Sequence, residues 1–231
     1  MTPIDLRPNI LVWDVPTRLF HWLLAASFAG AFATAESEQW QRLHVLFGYT
    51  AGGLIAFRLL WGLVGTRYAR FSSFPLRPRA VLRYLRSLRS GSPERHAGHN
   101  PAGSWAILAM LALVAATVLS GWGVIAKAGP QWLQHAHEAL ADITVAWVAV
   151  HVTAVILSSL LHRENLVRSM LTGFKRGSPR QLRAEAAGWV VAALLAGAVA
   201  ALWTGWNPLR LEGLQAGSAG VAAELGRDAD D

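Results

Sequence analysis

Five apolar segments, each long enough or nearly long enough to cross a lipid bilayer, constrain the fold of this chain more than any other feature. A transmembrane helix needs about 20 predominantly apolar residues, and the third and fifth segments are apolar on nearly every face, as helices of soluble bundles seldom are. The first segment is the weakest because its apolar run is short. With 53% hydrophobic and 15% charged residues, the chain is also too apolar for an ordinary soluble domain. The segments are Pro16–Thr34, His44–Gly65, Ser104–Ala126, Glu138–Leu161 and Ala186–Trp206.

Basic residues are concentrated in the loops that follow the second and fourth segments. Because loops rich in arginine and lysine stay in the cytoplasm, we expect a cytoplasmic N-terminus and a C-terminal tail outside. The net charge of +7 is then explained by these loops, and nucleic acid is not expected as a partner. The first loop carries Arg67, Arg70, Arg77, Arg79, Arg83, Arg86, Arg89 and Arg95. The second carries Arg163, Arg168, Lys175, Arg176, Arg180 and Arg183.

One stretch of the first basic loop, Leu76–Ser90, repeats leucine and arginine at helical spacing. This pattern favours a helix that lies in the cytoplasmic interface of the membrane. The alternative is a docking patch for an acidic partner. The C-terminal residues 207–231 are expected to form a flexible outer tail.

Two histidines of the fourth segment, His137 and His151, are fourteen residues apart. At about 100° per residue this spacing is almost four turns, so both imidazoles leave the same face of a helix. At roughly 1.5 Å per residue they stand about 21 Å apart along the axis. That distance covers most of a hydrocarbon core about 30 Å thick.

The predicted orientation matches these histidines by depth with two others. His44 begins the second segment on the outer side, level with His137, and His21 lies near the cytoplasmic side, level with His151. Intramembrane histidines are costly unless they have a partner. Two depth-matched pairs therefore predict two stacked haems, each held by two histidines. The chain has no cysteine, which excludes covalent haem attachment and thiolate iron–sulfur ligation.

Other interpretations of the histidines remain. A lone histidine in a span is more often a structural hydrogen-bonding group than a ligand, and zinc would require ligands clustered around one point. His135 is kept as a weaker alternative to His137, although it faces about 160° away from His151 on the helix. His96 and His99 are expected to be solvated in a loop, and His162 to lie at the interface.

Two arginines are candidates for binding haem propionates. Arg58 follows His44 by fourteen residues, so it lies on nearly the same face at about the depth of His21 and His151. A guanidinium buried in lipid needs an anion; the alternative is that Arg58 snorkels to the headgroups. Arg18, one turn before His21, is a second propionate or headgroup candidate.

Three glycines follow His44 in the second segment. Gly48, Gly52 and Gly53 would let a flat macrocycle approach the backbone closely. They could equally allow tight packing between helices.

The run Trp13-Asp-Val-Pro-Thr-Arg-Leu-Phe-His21-Trp22 resembles the N-terminal signature of the bacterial cytochrome b561 and nickel–iron hydrogenase b-type cytochrome superfamily. His44-x-x-x-Gly48 and the His137/His151 pair are similar to the family's other ligand positions, and the resemblance covers residues 9 to 180. It implies a four-helix bundle in the inner membrane that holds two b haems, with the ligand pairs already inferred. The expected organisation is then a di-haem domain at 1–180, a fifth transmembrane helix at 181–206 and the tail.

We therefore expect an all-α membrane protein that relays electrons between the quinone pool and a redox partner, such as a soluble cytochrome or a dehydrogenase subunit. Two axial histidines saturate the iron, which suits electron transfer rather than O₂ binding. No quinone motif is visible; Asp14, Glu138 and Asp142 are possible proton carriers without an assigned role. The alternative is a self-contained superoxide:quinone oxidoreductase of the cytochrome b561 type. A third hypothesis is a structural or transport protein without haem, which would be colourless when purified.

Overall fold

The described part of the chain is helical apart from one short pair of strands. The computed structural model describes residues 9–90, 94, 96, 98–127, 129–176 and 187–205. The helices are α1 (Val15–Thr34), α2 (Gln41–Val64), α3 (Pro78–Arg89), α4 (Pro101–Ile125), α5 (Trp132–His162), α6 (Leu166–Thr172) and α7 (Ala187–Trp203), and the strands are β1 (Asn9–Leu11) and β2 (Phe174–Arg176). The predicted all-α class is confirmed. The predicted tail at 207–231 lies outside the described residues.

Three of these helices are long and apolar enough to cross a membrane, namely those within Glu38–Val64, Pro101–Ile125 and Trp132–His162. Gly188–Trp203 is apolar but shorter. Helix α1 has 20 residues but is not among the three; Arg18 and His21 both lower its hydropathy. The predicted count of five spans is therefore not confirmed. Many large apolar side chains are exposed, among them Leu160 at 69%, a surface suited to lipid rather than water.

Close packing joins α1 to α2, α4 to α5, and α2 to α4. The lack of a side chain at Gly30 of α1 leaves room for the Phe47 ring of α2, because a Cβ at Gly30 would overlap that ring. Gly52 of α2 packs against Val118 on α4, where a Cβ would come within 3.0 Å of the valine side chain. Small residues that let helix backbones approach are typical of membrane bundles.

Polar caps set the starts of the long helices. The Asp14 carboxylate accepts a hydrogen bond of 2.8 Å from the Thr17 N–H and caps α1. The Asn100 side chain accepts one of 2.7 Å from the Gly103 N–H and caps α4, with Pro101 in the first turn. Such caps satisfy N–H groups that have no partner within the helix. Helix α5 begins at Trp132, six residues before the predicted start of the fourth segment, so His137 lies inside a continuous helix.

The short antiparallel sheet ties the segment before α1 to the segment after α6. Ile10 pairs with Lys175 in this sheet. The backbone N–H groups of Val12 and Trp13 both donate to the Gly173 carbonyl, at 2.9 and 3.1 Å. Ile10, Val12 and Trp13 are buried together, with Tyr68 and Met170 packed against them. The sequence reasoning did not predict this sheet, because runs of three residues carry too little periodicity.

Helix α3 lies within the predicted amphipathic segment Leu76–Ser90 and packs on α4. Its Tyr84 is buried, while Leu82 and Leu85 are exposed. The Trp105 ring N–H of α4 donates to the Leu76 carbonyl at 3.1 Å, which fixes the start of this segment.

By compactness the chain divides into Met1–Leu195 and Ala196–Asp231, a boundary that falls within α7. Ala192 and Leu195 are buried within the first unit.

Candidate functional site

Helices α2 and α5 bring His44 and His137 together. Their ring centres lie 6.1 Å apart and the ring planes are nearly perpendicular, at 86°. His135, the weaker alternative, has a side chain that is 84% exposed and lies 3.6 Å from the Glu138 carboxylate. The structure thus places His137, and not His135, opposite His44, as expected from the helical spacing.

Backbone carbonyls fix the protonation of both rings in this pair. His44 Nδ1 lies 2.8 Å from the Ala31 carbonyl oxygen, and His137 Nδ1 lies 2.9 Å from the Thr117 carbonyl oxygen. A carbonyl only accepts hydrogen bonds, so each Nδ1 must carry the proton and donate it. Each Nε2 is then left with a free lone pair. This arrangement, with one ring nitrogen held by a carbonyl and the other able to bind metal, is usual for metal-ligating histidines.

Residues of α4 further position the His137 ring. The Ser120 hydroxyl oxygen lies 3.1 Å from His137 Nδ1 and itself donates to the Thr117 carbonyl at 2.9 Å. Gly121 leaves room for the ring, since a Cβ there would come within 2.8 Å of His137 Cε1. Sequence reasoning missed Thr117, Ser120 and Gly121, because their role depends on the register between α4 and α5. A Ser-Gly pair inside an otherwise apolar helix was the available signal.

The second predicted pair consists of His21 on α1 and His151 on α5. The structure brings His21 within electrostatic range of His151. His21 Nδ1 is buried and has no hydrogen-bond partner among the described residues. The rings of His21 and Trp22 are nearly perpendicular, with centres 5.0 Å apart. An orphaned buried nitrogen in an apolar helix is a costly arrangement, which favours a functional over a purely structural role for this histidine.

The residues at the first pair fit a haem. An imidazole–metal–imidazole unit has metal–nitrogen bonds of about 2 Å on each side. Adding about 1 Å from each nitrogen to its ring centre gives about 6 Å between centres; the observed separation is 6.1 Å. A Cβ at Gly48 or at Gly53 would meet nothing within 4 Å, which agrees with room beside α2 for a flat group. Within the described residues no three histidine, cysteine or carboxylate side chains cluster as a zinc site requires.

Arg58 is a buried cation on α2, in electrostatic range of Asp14 and His99. It is 3% exposed, which disfavours the snorkelling alternative. Its guanidinium carbon lies 4.7 Å from the centre of the Phe71 ring, a cation–π contact. One guanidinium nitrogen, Nη1, is buried without a hydrogen-bond partner. Phe57, the residue before Arg58, packs against Phe20 beside His21, with ring centres 6.5 Å apart. Arg58 therefore offers an unused donor at the level of His21.

Part of the Arg18 guanidinium already donates a hydrogen bond to another segment of the protein. Its Nη1 donates to the Leu171 carbonyl at the end of α6, while its buried Nε has no partner among the described residues. Trp22 donates its ring N–H to the adjacent Met170 carbonyl at 3.4 Å. Because α6 ends with unpaired carbonyls, the observed contacts of Arg18 are first of all those of a helix cap.

Asp14 joins the start of α1 to the end of α2. Besides capping α1, its second oxygen accepts hydrogen bonds from the Trp61 ring N–H at 3.0 Å and the Thr66 hydroxyl at 2.6 Å. It is 4% exposed and lies in electrostatic range of Arg58. Three donors on one carboxylate indicate a structural hub rather than a proton carrier. An aspartate two residues before a proline was the available signal for a helix cap.

The prediction that His96 and His99 are solvated is wrong. His99 is partly buried between Trp13 and Phe74, with ring centres 4.6 Å apart in both contacts. Burial, together with the positive charges of Arg58 and Lys175, lowers the pKa of His99 to about 3. His99 is therefore neutral at physiological pH. The loop folds inward because Trp13, between β1 and α1, and Phe74, between α2 and α3, present aromatic surface that the imidazole covers. A local interpretation of a Gly/Pro/Ser-rich stretch could not show this contact.

The same loop gathers two further histidines around Tyr84. His162 at the end of α5 lies nearly parallel to the Tyr84 ring, with centres 6.3 Å apart, and His96 contacts the tyrosine edge-on at 5.8 Å. The Lys175 ammonium donates to the His96 carbonyl at 3.3 Å. His162 thus packs within the loop layer in addition to ending its helix.

Comparison with known proteins places most of the chain in one family. Residues 12–173 match the family model described as prokaryotic cytochrome b561. A relative from Rhodobacter capsulatus, described as "Probable Ni/Fe-hydrogenase B-type cytochrome subunit", is 21% identical over 215 residues, which cover 73% of this chain and 82% of the relative. A relative of the same description from Bradyrhizobium diazoefficiens is 23% identical over 212 residues, covering 72% and 86%. No solved structure matches the chain significantly.

Proposed function

The chain belongs to the prokaryotic cytochrome b561 family, and from this premise we propose that it is a di-haem b-type cytochrome that relays electrons across the inner membrane. Family membership makes it a membrane-embedded, helical b-type cytochrome that takes part in electron transfer. The number of haems, their ligands and the partners are the proposal. The observation that carries it is the His44/His137 pair, with its separation of 6.1 Å and both Nδ1 atoms held by carbonyls.

Each proposed haem is held by two histidines from different helices. His44 and His137 bind one, and His21 and His151 bind the other, so α5 contributes a ligand to both. Since the chain has no cysteine, both haems are held without covalent bonds to the protein. Bound between two imidazoles, haem iron supplies one-electron chemistry at a coordinatively saturated centre. The two ligands of α5 lie about 21 Å apart along the helix, which places one haem toward each side of the bilayer.

Arg58 is the proposed propionate ligand of the His21/His151 haem, because its Nη1 is buried and unpartnered. A fork of N–H groups matches a carboxylate well. Arg18 is a second candidate through its buried Nε. Arg18 lies on α1 and Arg58 lies on α2. A propionate contact with each arginine would orient the macrocycle relative to both helices.

The proposed partners are the quinone pool and a redox protein. The two relatives are described as hydrogenase cytochrome subunits, which favours a dehydrogenase-type subunit as the partner over a soluble cytochrome. We place the N-terminus and the arginine-rich loops in the cytoplasm and the C-terminus in the periplasm, following the positive-inside rule. The protein then serves as the membrane arm of a larger redox complex.

Reconstitution into sealed vesicles tests the relay. Ferricyanide is trapped inside, a short-chain quinol is added outside, and ferricyanide reduction is followed by absorbance. We expect reduction with the wild type and with His135→Ala, and its loss with His151→Ala or His137→Ala, because each interrupts the path. Equal rates for all four proteins would contradict a transmembrane relay.

Two further experiments address the partner and the alternative function. Co-purification from the native membrane should recover a dehydrogenase-type subunit with the cytochrome. Superoxide added to the pure protein with quinone should leave the haems unreduced if the chain is an electron-transfer subunit. Rapid haem reduction by superoxide would instead support the self-contained superoxide:quinone oxidoreductase.

A further inference from the structure

Helix α3 is held against the bundle in one orientation. Its Tyr84 is 2% exposed, and the helix packs on α4. Beyond the end of α3, the Glu94 N–H donates to the Ser87 hydroxyl at 3.1 Å, and that hydroxyl donates to the Tyr84 carbonyl at 2.7 Å. The Tyr84 ring also lies nearly parallel to the ring of His162. These contacts fix which face of α3 turns inward, and therefore which side chains face outward.

Two leucines form an exposed apolar stripe along one flank of α3. Leu82 is 55% exposed and Leu85 is 48% exposed. At about 100° per residue, Leu85 lies about 100° and Leu82 about 160° around the helix from Tyr84. Both leucines therefore lie outside the buried face. An apolar stripe in this position is favourable when it contacts an apolar phase rather than water.

Two exposed arginines continue this surface beyond the leucine stripe. Arg79 and Arg86 are seven residues apart, which places them within about 20° of each other and next to Leu82 on the helix. Both are exposed, and within the described part of the chain neither forms an ion pair, whereas Arg83 Nε donates to the Glu94 carboxylate at 2.9 Å. Residues 65–90 contain no aspartate or glutamate. The two guanidinium groups are therefore suited to an external anion.

Trp105 indicates the depth of α3 relative to the membrane. It lies near the start of α4 and is 49% exposed. Its ring N–H donates to the carbonyl of Leu76, two residues before α3 begins. Exposed indoles at the ends of spanning helices typically lie at the level of the lipid headgroups. Helix α3 therefore starts at that level, where leucines reach acyl chains and arginines extend to phosphates.

We infer that α3 is a binding surface for anionic phospholipids, with Leu82 and Leu85 among the acyl chains and Arg79 and Arg86 on the headgroup phosphates. A guanidinium matches the oxygens of a phosphate, and a headgroup of net negative charge attracts arginine more strongly than a zwitterionic one. An acidic protein would match the arginines, but it would leave the adjoining leucine stripe without an apolar partner. The inference requires a membrane-embedded chain and is independent of the number of haems.

Lipid selectivity of the full-length protein tests this assignment. The holoprotein is reconstituted into vesicles of equal parts phosphatidylcholine and phosphatidylglycerol, and electron paramagnetic resonance measures the association of each spin-labelled lipid with the protein. We expect the wild type to prefer phosphatidylglycerol. This preference should fall roughly twofold in the double variant Arg79→Gln and Arg86→Gln, because each arginine favours an anionic lipid severalfold while only part of the lipid shell contacts α3.

A matched double variant controls for the loss of charge. Arg163→Gln and Arg168→Gln remove two exposed arginines that lie outside α3, and this protein should keep most of the wild-type preference. Equal preference in the wild type and the α3 variant would overturn the assignment and indicate an acidic protein as the occupant. Equal losses in the two double variants would also overturn it, because the attraction would then belong to the net charge and not to α3.

Nitroxide labels test the leucine stripe separately. The chain has no cysteine, so Leu82→Cys and Arg86→Cys each provide a single labelling site. In the same vesicles, a nitroxide at position 82 should collide mainly with oxygen dissolved among the acyl chains, and one at position 86 with a water-soluble nickel chelate. Equal access of the nickel chelate to both positions would overturn the inference. Neither experiment depends on haem, so a failure here is distinguishable from a failure of the proposed electron relay.

Discussion

The imidazole rings of His44 and His137 lie with their centres 6.1 Å apart and their planes at 86°. They come from α2 and α5, which are separated along the chain by α3 and α4. Each ring is fixed by a hydrogen bond from Nδ1 to a main-chain carbonyl. Side-chain substitution of Ala31 or Thr117 would leave those carbonyls in place, so the ligand geometry depends on the backbone register of α1 and α4.

Replacing Arg58 should weaken one haem site and spare the other. Arg58→Leu removes the buried donor that we assign to a propionate, and a hydrogen bond to a charged group contributes about 1.5–3 kcal/mol. We expect roughly ten- to hundredfold weaker retention of the His21/His151 haem, measured by haem transfer to apomyoglobin. Arg89→Leu, which changes an exposed arginine of α3, should have no effect. Equal retention of both haems in Arg58→Leu would exclude the propionate role.

Removing the Asp14 carboxylate should destabilise the junction between α1 and α2. Asp14→Ala deletes the cap of α1 and leaves the Trp61 and Thr66 donors without their acceptor. We expect a loss of roughly 2–4 kcal/mol in the free energy of unfolding, measured by thermal unfolding in detergent with circular dichroism. The control Glu36→Ala alters an exposed carboxylate and should change stability by less than about 0.5 kcal/mol. Comparable stability of the two variants would argue against the hub.

Gly173 should be irreplaceable at the end of α6. Its φ of +89° is a conformation that costs other residues about 1–2 kcal/mol, and a Cβ would come within 2.6 Å of the Trp13 carbonyl oxygen. We expect Gly173→Ala to separate the β1 segment, with faster hydrogen exchange of the Val12 and Trp13 amides that donate to Gly173. Unchanged exchange at these two amides would show that the sheet tolerates the methyl group.

Acid should destabilise the protein partly through His99. The pKa of His99 is lowered from 6.5 to about 3 by burial, aided by Arg58 and Lys175. Between these values the unfolded chain binds the proton and the folded chain does not, so stability is fully present above about pH 6.5 and declines as pH falls toward 3. His99→Phe should flatten this decline in a melting-temperature series from pH 7 to 4, whereas His135→Phe should not. An identical pH profile for wild type and His99→Phe would contradict the assignment.

Sequence reasoning predicted the long helices from periodicity within one segment, and it predicted the histidine pairs from that periodicity together with the orientation of the spans. The spacing of His137 and His151, and the shared direction of α2 and α5, were enough to pair His44 with His137. The short sheet, the burial of His99 and the role of Gly121 were not predictable in this way. Each arises where segments distant in sequence meet, and no local pattern records that contact.

Haem content is the most direct test of the two histidine pairs. The measurement is the ratio of haem b to protein, by pyridine haemochrome absorbance, in purified wild type, His21→Ala and His137→Ala. The predicted result is two haems in the wild type and one in each variant, with the retained haem differing between the two variants. A colourless wild type, a ratio of one, or variants that still carry two haems would contradict the arrangement of ligands.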